Sequence, residues 1–332
     1  MSSAISANGL RRVFGDFVAV DGIDLDIPDG EIYGFLGPNG AGKSTTVKML
    51  CTLLGPTSGT ATVAGFDLDA QPGEIRLRIG VALQDSSIDG KQTGREMLEL
   101  QGRLYGLTPS DVATRMDDVI GLVDIGPAID DRVNTYSGGM KRRLDLAMSL
   151  IHRPQILFLD EPTTGLDPAS RSAVWAEVKR LNDQHGTTIF LTTQYLEEAD
   201  ELADRVGIIS RGAIAAEGSP VALKRQIGTD LIVAEVDGDV DVAADAVRTI
   251  DGIADVETHG DELALATTDG AGLIADVAVA LNGCGVPVRS LTLRTPTLDD
   301  VFLHVTGTHF ASTAPAPDDP EFRPVDPEES DR

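Results

Sequence analysis

Over the first 36 residues apolar and polar positions alternate in short runs broken by Asp21-Gly22 and Pro28-Asp29-Gly30. That is the pattern of strands joined by tight turns, and Ile32 to Leu36 is apolar enough for a buried strand. From residue 37 onward the period changes. Thr45 to Leu54 reads as a helix stopped by Gly55-Pro56, Ile79 to Leu83 as a strand, and residues 93–152 as mostly helical. Ile156 to Leu159 is fully apolar and suits a parallel strand covered on both faces. A helix over Ala169 to Gln184, a strand over Thr187 to Thr192, a helix over Leu196 to Asp204 and a strand over Val206 to Ile209 follow. Gly218-Ser219-Pro220 then opens a short helix that ends near Gly228.

After 229 the pattern shifts again. Strands are predicted at 231–236, 254–258, 262–267 and 286–293, with helices at 241–250 and 271–282. The order β-α-β-β-α-β predicts a small α+β, ferredoxin-like module of about 75 residues. A short helix over 298–305 follows, and past 309 the chain is rich in Pro, Asp and Glu with almost no apolar content. The predicted organisation is an α/β domain over 1–228 with a helical insertion at about 93–152, an α+β domain over 229–308, and a disordered acidic tail over 309–332.

Composition sharpens this picture. The 332 residues exceed one ordinary domain, and 53 acids against 27 bases leave a net charge of −26. Residues 311–332 contribute −5 of that, so the acidity is spread along the chain. Phosphate backbones are met by clustered cations, so nucleic acid is excluded as a non-specific partner. Six lysines against 21 arginines, with 4% aromatics, resemble the solvated acidic surface of halophilic proteins. Cys51 and Cys284 lack a second cysteine at metal spacing and the five histidines are scattered, which predicts core thiols and no metal cluster. With no apolar leader and no run of about 18 apolar residues, a soluble cytoplasmic chain is expected, any membrane role coming through a partner.

The candidate chemistry lies in three segments. Gly37-Pro38-Asn39-Gly40-Ala41-Gly42-Lys43-Ser44 matches G-x4-G-K-[ST] between a predicted strand and helix. Its glycines let backbone N–H groups converge on phosphate oxygens at a helix N-terminus. Lys43 would reach the β- and γ-phosphates and the Ser44 hydroxyl a Mg²⁺ ion. The apolar run 156–159 delivers Asp160 and Glu161 to a sheet edge, Asp160 for the metal and Glu161 as general base toward water. Ser137-Gly138-Gly139 opens another predicted helix, and Lys141, Arg142 and Arg143 follow as cations suited to phosphate. One nucleotide needs one cradle; a second on the same chain serves a nucleotide held by another copy.

With these segments in order, residues 5 to about 220 resemble the ATP-binding subunits of ABC transporters. Walker A is GPNGAGKST at 37–45, which includes Thr45, Walker B is ILFLDEP at 156–162, and the signature is YSGGM at 136–140. The D-loop is GLDP at 165–168 and the Q-loop residue is Gln84. The resemblance implies a P-loop NTPase core of the ABC-ATPase type with antiparallel β and helical subdomains. It implies ATP and Mg²⁺ as cofactors, and two subunits closing over two ATP molecules, with Ser137, Gly138 and Gly139 touching the nucleotide on the partner's Lys43. Phe14 stands where the family stacks an aromatic on adenine. Gln84 would reach the metal, and Gln84, Asp167 and Gln194 join Lys43 and Glu161 in the implied catalytic set. Gln194 stands where the family has its switch histidine; its amide bonds phosphate but carries no charge. YSGGM, LTTQYLEEAD (191–200) and PTLDDVFLHVTG (296–307) are similar to the daunorubicin-resistance-type branch. That branch pairs a single ATPase chain with a separate membrane permease, and implies a place on the inner face of the membrane. An importer ATPase with a regulatory C-terminal domain, or a non-transport ABC ATPase, stays open at this point.

Overall fold

The computed structural model describes residues 3–83, 89–123, 125–228 and 230–306. Its contacts divide into two units, which meet in sequence between Ser219 and Pro220. The boundary lies earlier than the expected 228, because α8 (Pro220–Ile227) packs on the last helix, α11 (Leu298–Thr306), and so belongs with the second unit.

The first unit opens with the long hairpin β1 (Ser3–Phe14) and β2 (Phe17–Pro28). Then come β3 (Ile32–Leu36), α1 (Lys43–Leu50), β4 (Ser58–Val63), β5 (Phe66–Asp67), α2 (Pro72–Arg76) and β6 (Ile79–Ala82). The helical stretch is α3 (Gly94–Leu104), α4 (Pro109–Val123) and α5 (Gly138–Leu150). The chain returns through β7 (Ile156–Asp160), α6 (Pro168–His185), β8 (Thr188–Thr193), α7 (Leu196–Leu202), β9 (Arg205–Ser210) and β10 (Ala213–Gly218). β3, β6, β7, β8 and β9 are parallel, in the order β10-β9-β3-β8-β7-β6 with β10 antiparallel at the edge. A second, antiparallel sheet has the order β2-β1-β4-β5.

Every residue of β3, β7 and β8 is buried, because alternate side chains enter two different cores. Leu157, Leu159, Ile189 and Leu191 join the cluster built with α3–α6. Phe35, Phe158 and Phe190 join the cluster under the antiparallel sheet, where Phe190 lies 5.4 Å from Phe35 and 5.6 Å from Phe158. Each such side chain contributes about 1.5–3 kcal/mol on burial, which pins the sheet whose carboxyl edge carries the site.

Local signals set the helix ends. Thr93 and Glu96 form a capping box at α3, Ser137 caps α5, and Asp167-Pro168 opens α6, which Gly186 stops at φ 63°. α1 ends four residues before the expected Leu54, because Thr52 turns left-handed (φ 61°) and the Leu53 N–H donates to the Lys48 carbonyl. The hairpin β4–β5 is an addition to the predicted elements.

The second unit contains α8, β11 (Asp230–Val236), α9 (Val240–Arg248), β12 (Ile253–His259), β13 (Glu262–Thr267), α10 (Gly270–Gly283), β14 (Val288–Arg294) and α11. The sheet order β12-β13-β11-β14, all antiparallel, is that of the expected ferredoxin-like module. Its core is small and aliphatic, with Ile232, Val247, Leu263, Leu265, Val277 and Leu281 buried. The predicted tail lies outside the described residues. Among those residues no helix is long and apolar enough to cross a membrane.

Candidate functional site

The phosphate loop leaves β3 at its carboxyl end and enters α1 at Lys43. Two of its glycines are there for steric reasons. A Cβ on Gly42, whose φ is 109°, would lie 2.5 Å from the Ala19 carbonyl oxygen, and one on Gly37 would lie 2.5 Å from that of Ile209. Pro38, Asn39 and Gly40 form the half-exposed to exposed lip, with Ala41 buried beneath it. Ala41 N–H donates to the Pro38 carbonyl at 3.2 Å. The N–H groups of Gly40, Gly42, Lys43 and Ser44 have no partner among the described residues, so they form a cradle that an anion fits. Thr45, half-buried, follows on the first turn of α1.

Lys43 is buried at 4% exposure. Its Nζ donates to the carbonyls of Gly37 at 2.8 Å and Pro38 at 3.2 Å and pairs with Glu161 Oε1 at 3.2 Å. Burial pushes the ammonium below its ordinary value, and the Glu161 carboxylate opposes that shift. Ser44 Oγ donates to Asp160 Oδ1 at 3.3 Å, so a hydroxyl and a carboxylate converge as a hard-cation site would need.

Glu161 sits one residue past β7 with φ 47°, a left-handed conformation that is strained for a side chain with a Cβ. Its N–H donates to the Thr192 carbonyl and hydroxyl, both at 3.1 Å, and its Oε2 accepts from the Thr164 hydroxyl at 3.2 Å. Thr192 also donates to Asp160 Oδ1 at 2.5 Å. This threonine, absent from the predicted set, therefore touches both acids.

Gln194 follows Thr193, whose carbonyl accepts from the Gly37 N–H at 3.2 Å, so the switch position is anchored to the mouth of the phosphate loop. Behind it Glu198, fully buried on α7, accepts from Thr163 Oγ1 and Trp175 Nε1, both at 2.9 Å on Oε1. Burial drives this carboxyl above its ordinary range, opposed by the hydroxyls of Thr193 and Thr163 and by the indole. Trp175 thereby joins α6 to α7 behind the switch position. Sequence offered one weak signal for this hub, a carboxylate four residues past the switch position on a short helix.

Other predicted residues take specific places. Asp167 caps α6, its Oδ1 accepting from the Ser170 N–H at 3.0 Å and its Oδ2 from the Ser170 hydroxyl at 2.6 Å, bonds that lower its pKa. Ser170 Oγ in turn would lie 3.2 Å from a Cβ on Gly139, so the D-loop abuts the signature of its own chain. Phe14 ends β1, one face of its ring covered by the Arg12 guanidinium at 4.3 Å. Gln84 lies outside the described residues.

Ser137 and Gly138 are exposed and Gly139 is half-buried at the start of α5, a helix of 13 residues whose neighbour Tyr136 is anchored by its hydroxyl to the Ala128 carbonyl at 2.6 Å. Among the described residues no hydrogen bond or ion pair joins this N-terminus to residues 37–45. The expected trio of phosphate cations beside it needs correction. Arg142 turns inward, its side chain 14% exposed, because backbone carbonyls and Asp145 hold it there.

The chain is similar to known proteins along most of its length. Residues 20–164 match the family model described as ABC transporter, and 218–306 match that of the ATP-binding protein DrrA1-3-like C-terminal domain. The daunorubicin resistance ATP-binding protein DrrA3 of Streptomyces coeruleorubidus is 44% identical over 307 residues, 92% of this chain and 96% of that protein. The daunorubicin/doxorubicin resistance ATP-binding protein DrrA of Streptomyces peucetius is 45% identical over 307 residues, 92% of each chain. The Nod factor export ATP-binding protein I of Cupriavidus metallidurans is 38% identical over 310 residues, covering 92% and 98%. Among solved structures, the dimeric post-hydrolysis cassette MJ0796 bound to ADP and Pi superposes with a TM-score of 0.59 at 23% identity, over 65% of this chain and 98% of that one. At that identity the likeness concerns the fold.

Proposed function

Given that the chain belongs to the daunorubicin-resistance-type branch of ABC transporter ATP-binding proteins, we propose that it hydrolyses ATP between two copies of itself to power export through a separate membrane subunit. The observation that carries the two-copy reading is the separation of its parts. The cradle at 37–45, Asp160 and Glu161 share one sheet edge, while the Ser137–Gly139 cradle, exposed at Ser137 and Gly138, begins a different subdomain and is itself bonded to none of them. A second copy brings that N-terminus to the γ-phosphate.

In this reading the loop N–H groups and Lys43 bind the phosphates, and Phe14 offers its free face to adenine. Ser44 Oγ and Asp160 would hold Mg²⁺, which draws charge off the phosphate oxygens. A γ-phosphate competes with Glu161 for Lys43, which frees Glu161 Oε1 to accept the proton of the attacking water. Gln194 faces the same phosphate as a neutral hydrogen-bond donor. Closure of the two copies loads the sites, and hydrolysis with phosphate release reopens them, driving the permease between its two states.

Exposed leucines support the permease docking. Leu53 and Leu77 are 59% and 56% exposed on either side of an Arg76–Thr52 contact, and Leu100 and Leu104 are 48% and 73% exposed on α3. Export, rather than import, follows from the resistance and export named in the relatives. The test is co-expression with the candidate permease. ATP turnover in the recovered complex should fall at least about 100-fold in Glu161→Gln, which should also trap an ATP-bound dimer. Retained turnover in that variant would remove Glu161 from its role.

A further inference from the structure

α5 presents Ser137 and Gly138 at the surface, and one turn further on it sends Arg142 into the protein. There the guanidinium uses its whole fork. Nε donates to the Pro162 carbonyl at 3.0 Å, Nη2 to the Asp160 carbonyl at 3.0 Å, and Nη1 to the Leu83 carbonyl at 2.8 Å and to Asp145 Oδ2 at 3.2 Å. Asp160 and Pro162 flank Glu161, so the bonds grip the backbone on both sides of the non-glycine residue in that loop held at positive φ. Leu83 is the last residue before Gln84. A single side chain therefore ties the signature helix to the loop of the general base and to the entrance of the Q-loop.

Stability does not account for it. Burial lowers the Arg142 pKa and lifts Asp145 to about 6, so the interior disfavours both charges even while they face each other. A buried ion pair of this kind is weak evidence for a stabilising role, and a well-packed apolar pair often serves the fold as well. What an apolar pair lacks is donors for three carbonyls, and lysine, a point charge on a flexible stem, lacks the planar fork.

We infer that Arg142 is a positioning residue: it holds the strained Glu161 backbone in place from the helix behind it. The inference rests on the general-base role given to Glu161 above.

The test uses the full chain with Arg142→Met/Asp145→Leu, which removes the pair together, and Arg142→Lys. The double variant should stay folded at the assay temperature and bind Mg-ATP within about threefold of the parent, while kcat falls at least about 10-fold with KM within about threefold. Arg142→Lys should lose kcat in the same direction. Packing alone would move the midpoint and spare that split, so a folded double variant with kcat within about twofold of wild type overturns the inference. Should the double variant fail to fold, wild-type kcat in Arg142→Lys overturns it instead. Glu161→Gln measured beside them separates this inference from the reading it rests on: retained turnover there refutes the general-base role, whereas lost turnover there with wild-type kcat in the folded double variant refutes the inference alone.

Discussion

Replacing Glu198 by alanine tests whether the buried hub behind the switch segment is a structural necessity of the hydrolytic edge. Glu198 Oε1 accepts two hydrogen bonds at 2.9 Å, from the Thr163 hydroxyl and the Trp175 indole, inside a fully buried site. Alanine leaves both donors without a partner, at about 1–3 kcal/mol each, and the emptied volume adds about 1 kcal/mol more. The expected loss is about 3–7 kcal/mol. Glutamine keeps an oxygen at the same place and removes a charge that burial already disfavours, so Glu198→Gln should stay within about 1 kcal/mol of wild type.

Trp175 is the single tryptophan of the chain and lies in the first unit, so urea unfolding read by its fluorescence reports on that unit alone. In Glu198→Ala the folded emission should also shift to the red as the indole N–H meets water. Because Thr163 lies two residues past Glu161, turnover should drop with stability in the alanine variant and persist in the glutamine one. A Glu198→Ala protein within about 1 kcal/mol of wild type and with unchanged emission would refute the reasoning; so would a glutamine variant worse than alanine.

Further expectations follow from other positions. Gly42→Ala places a Cβ against the Ala19 carbonyl at a φ reserved for glycine, so equilibrium binding of a fluorescent ATP analogue should weaken about 10- to 100-fold while the fold survives. Asp145 is protonated in the folded chain up to about pH 6 and in the unfolded chain only up to its ordinary 3.8, so its contribution is greatest at low pH and is lost as pH rises through that window. Wild type should therefore lose about 2–2.5 kcal/mol relative to Asp145→Asn between pH 4 and pH 7, and parallel stability profiles would contradict this. In Gln194→His the ratio of variant to wild-type turnover should vary across pH 6–8, where imidazole titrates; a constant ratio would mean that residue 194 does not face the phosphate. Two chains of −26 repel, so ATP-driven dimerisation of Glu161→Gln should strengthen as salt rises from 0.1 to 1 M and the screening length shrinks from about 10 Å to about 3 Å. Tighter dimers at the lower salt would reverse that expectation.

The parts of this protein legible in its sequence are those whose signal is local. A glycine loop between strand and helix, an apolar strand ending in two acids, and a β-α-β-β-α-β alternation announce themselves within about 10 to 75 consecutive residues. The missed residues act across long separations. Thr192 reaches Asp160 from 32 positions away, Glu198 reaches Thr163 from 35, and Arg142 reaches the Leu83 carbonyl from 59. In a linear reading Thr192 is one more β-branched strand residue, and Arg142 one more cation after a glycine pair. Only the pairing of β7 with β8 places Thr192 opposite Asp160, and only the packing of α5 on the core turns Arg142 inward. The short α1 was illegible for a different reason. Its last turn ends on a threonine in left-handed conformation, and no residue preference marks threonine for that role.

The distribution of ion pairs makes the same point about cause. Arg11–Asp21, Arg95–Asp130, Arg153–Asp118 and Lys179–Glu201 lie at the surface, where such pairs contribute at most about 1 kcal/mol each. Among the described residues two of the pairs lie deepest, Lys43–Glu161 and Arg142–Asp145, and in both the desolvation of the cation lowers its pKa against the pull of its partner. Neither pair is where a fold under selection for stability alone would place charge, since the apolar clusters on both faces of the parallel sheet already supply the cohesion. Both lie at the same carboxyl edge, one in front of Glu161 and one behind it. In the proposed cycle the charge in front is exchangeable, because an incoming phosphate competes for Lys43. The charge behind is held by three carbonyls. Glu161, set between one movable and one immovable cation, would then change its contacts only when nucleotide arrives.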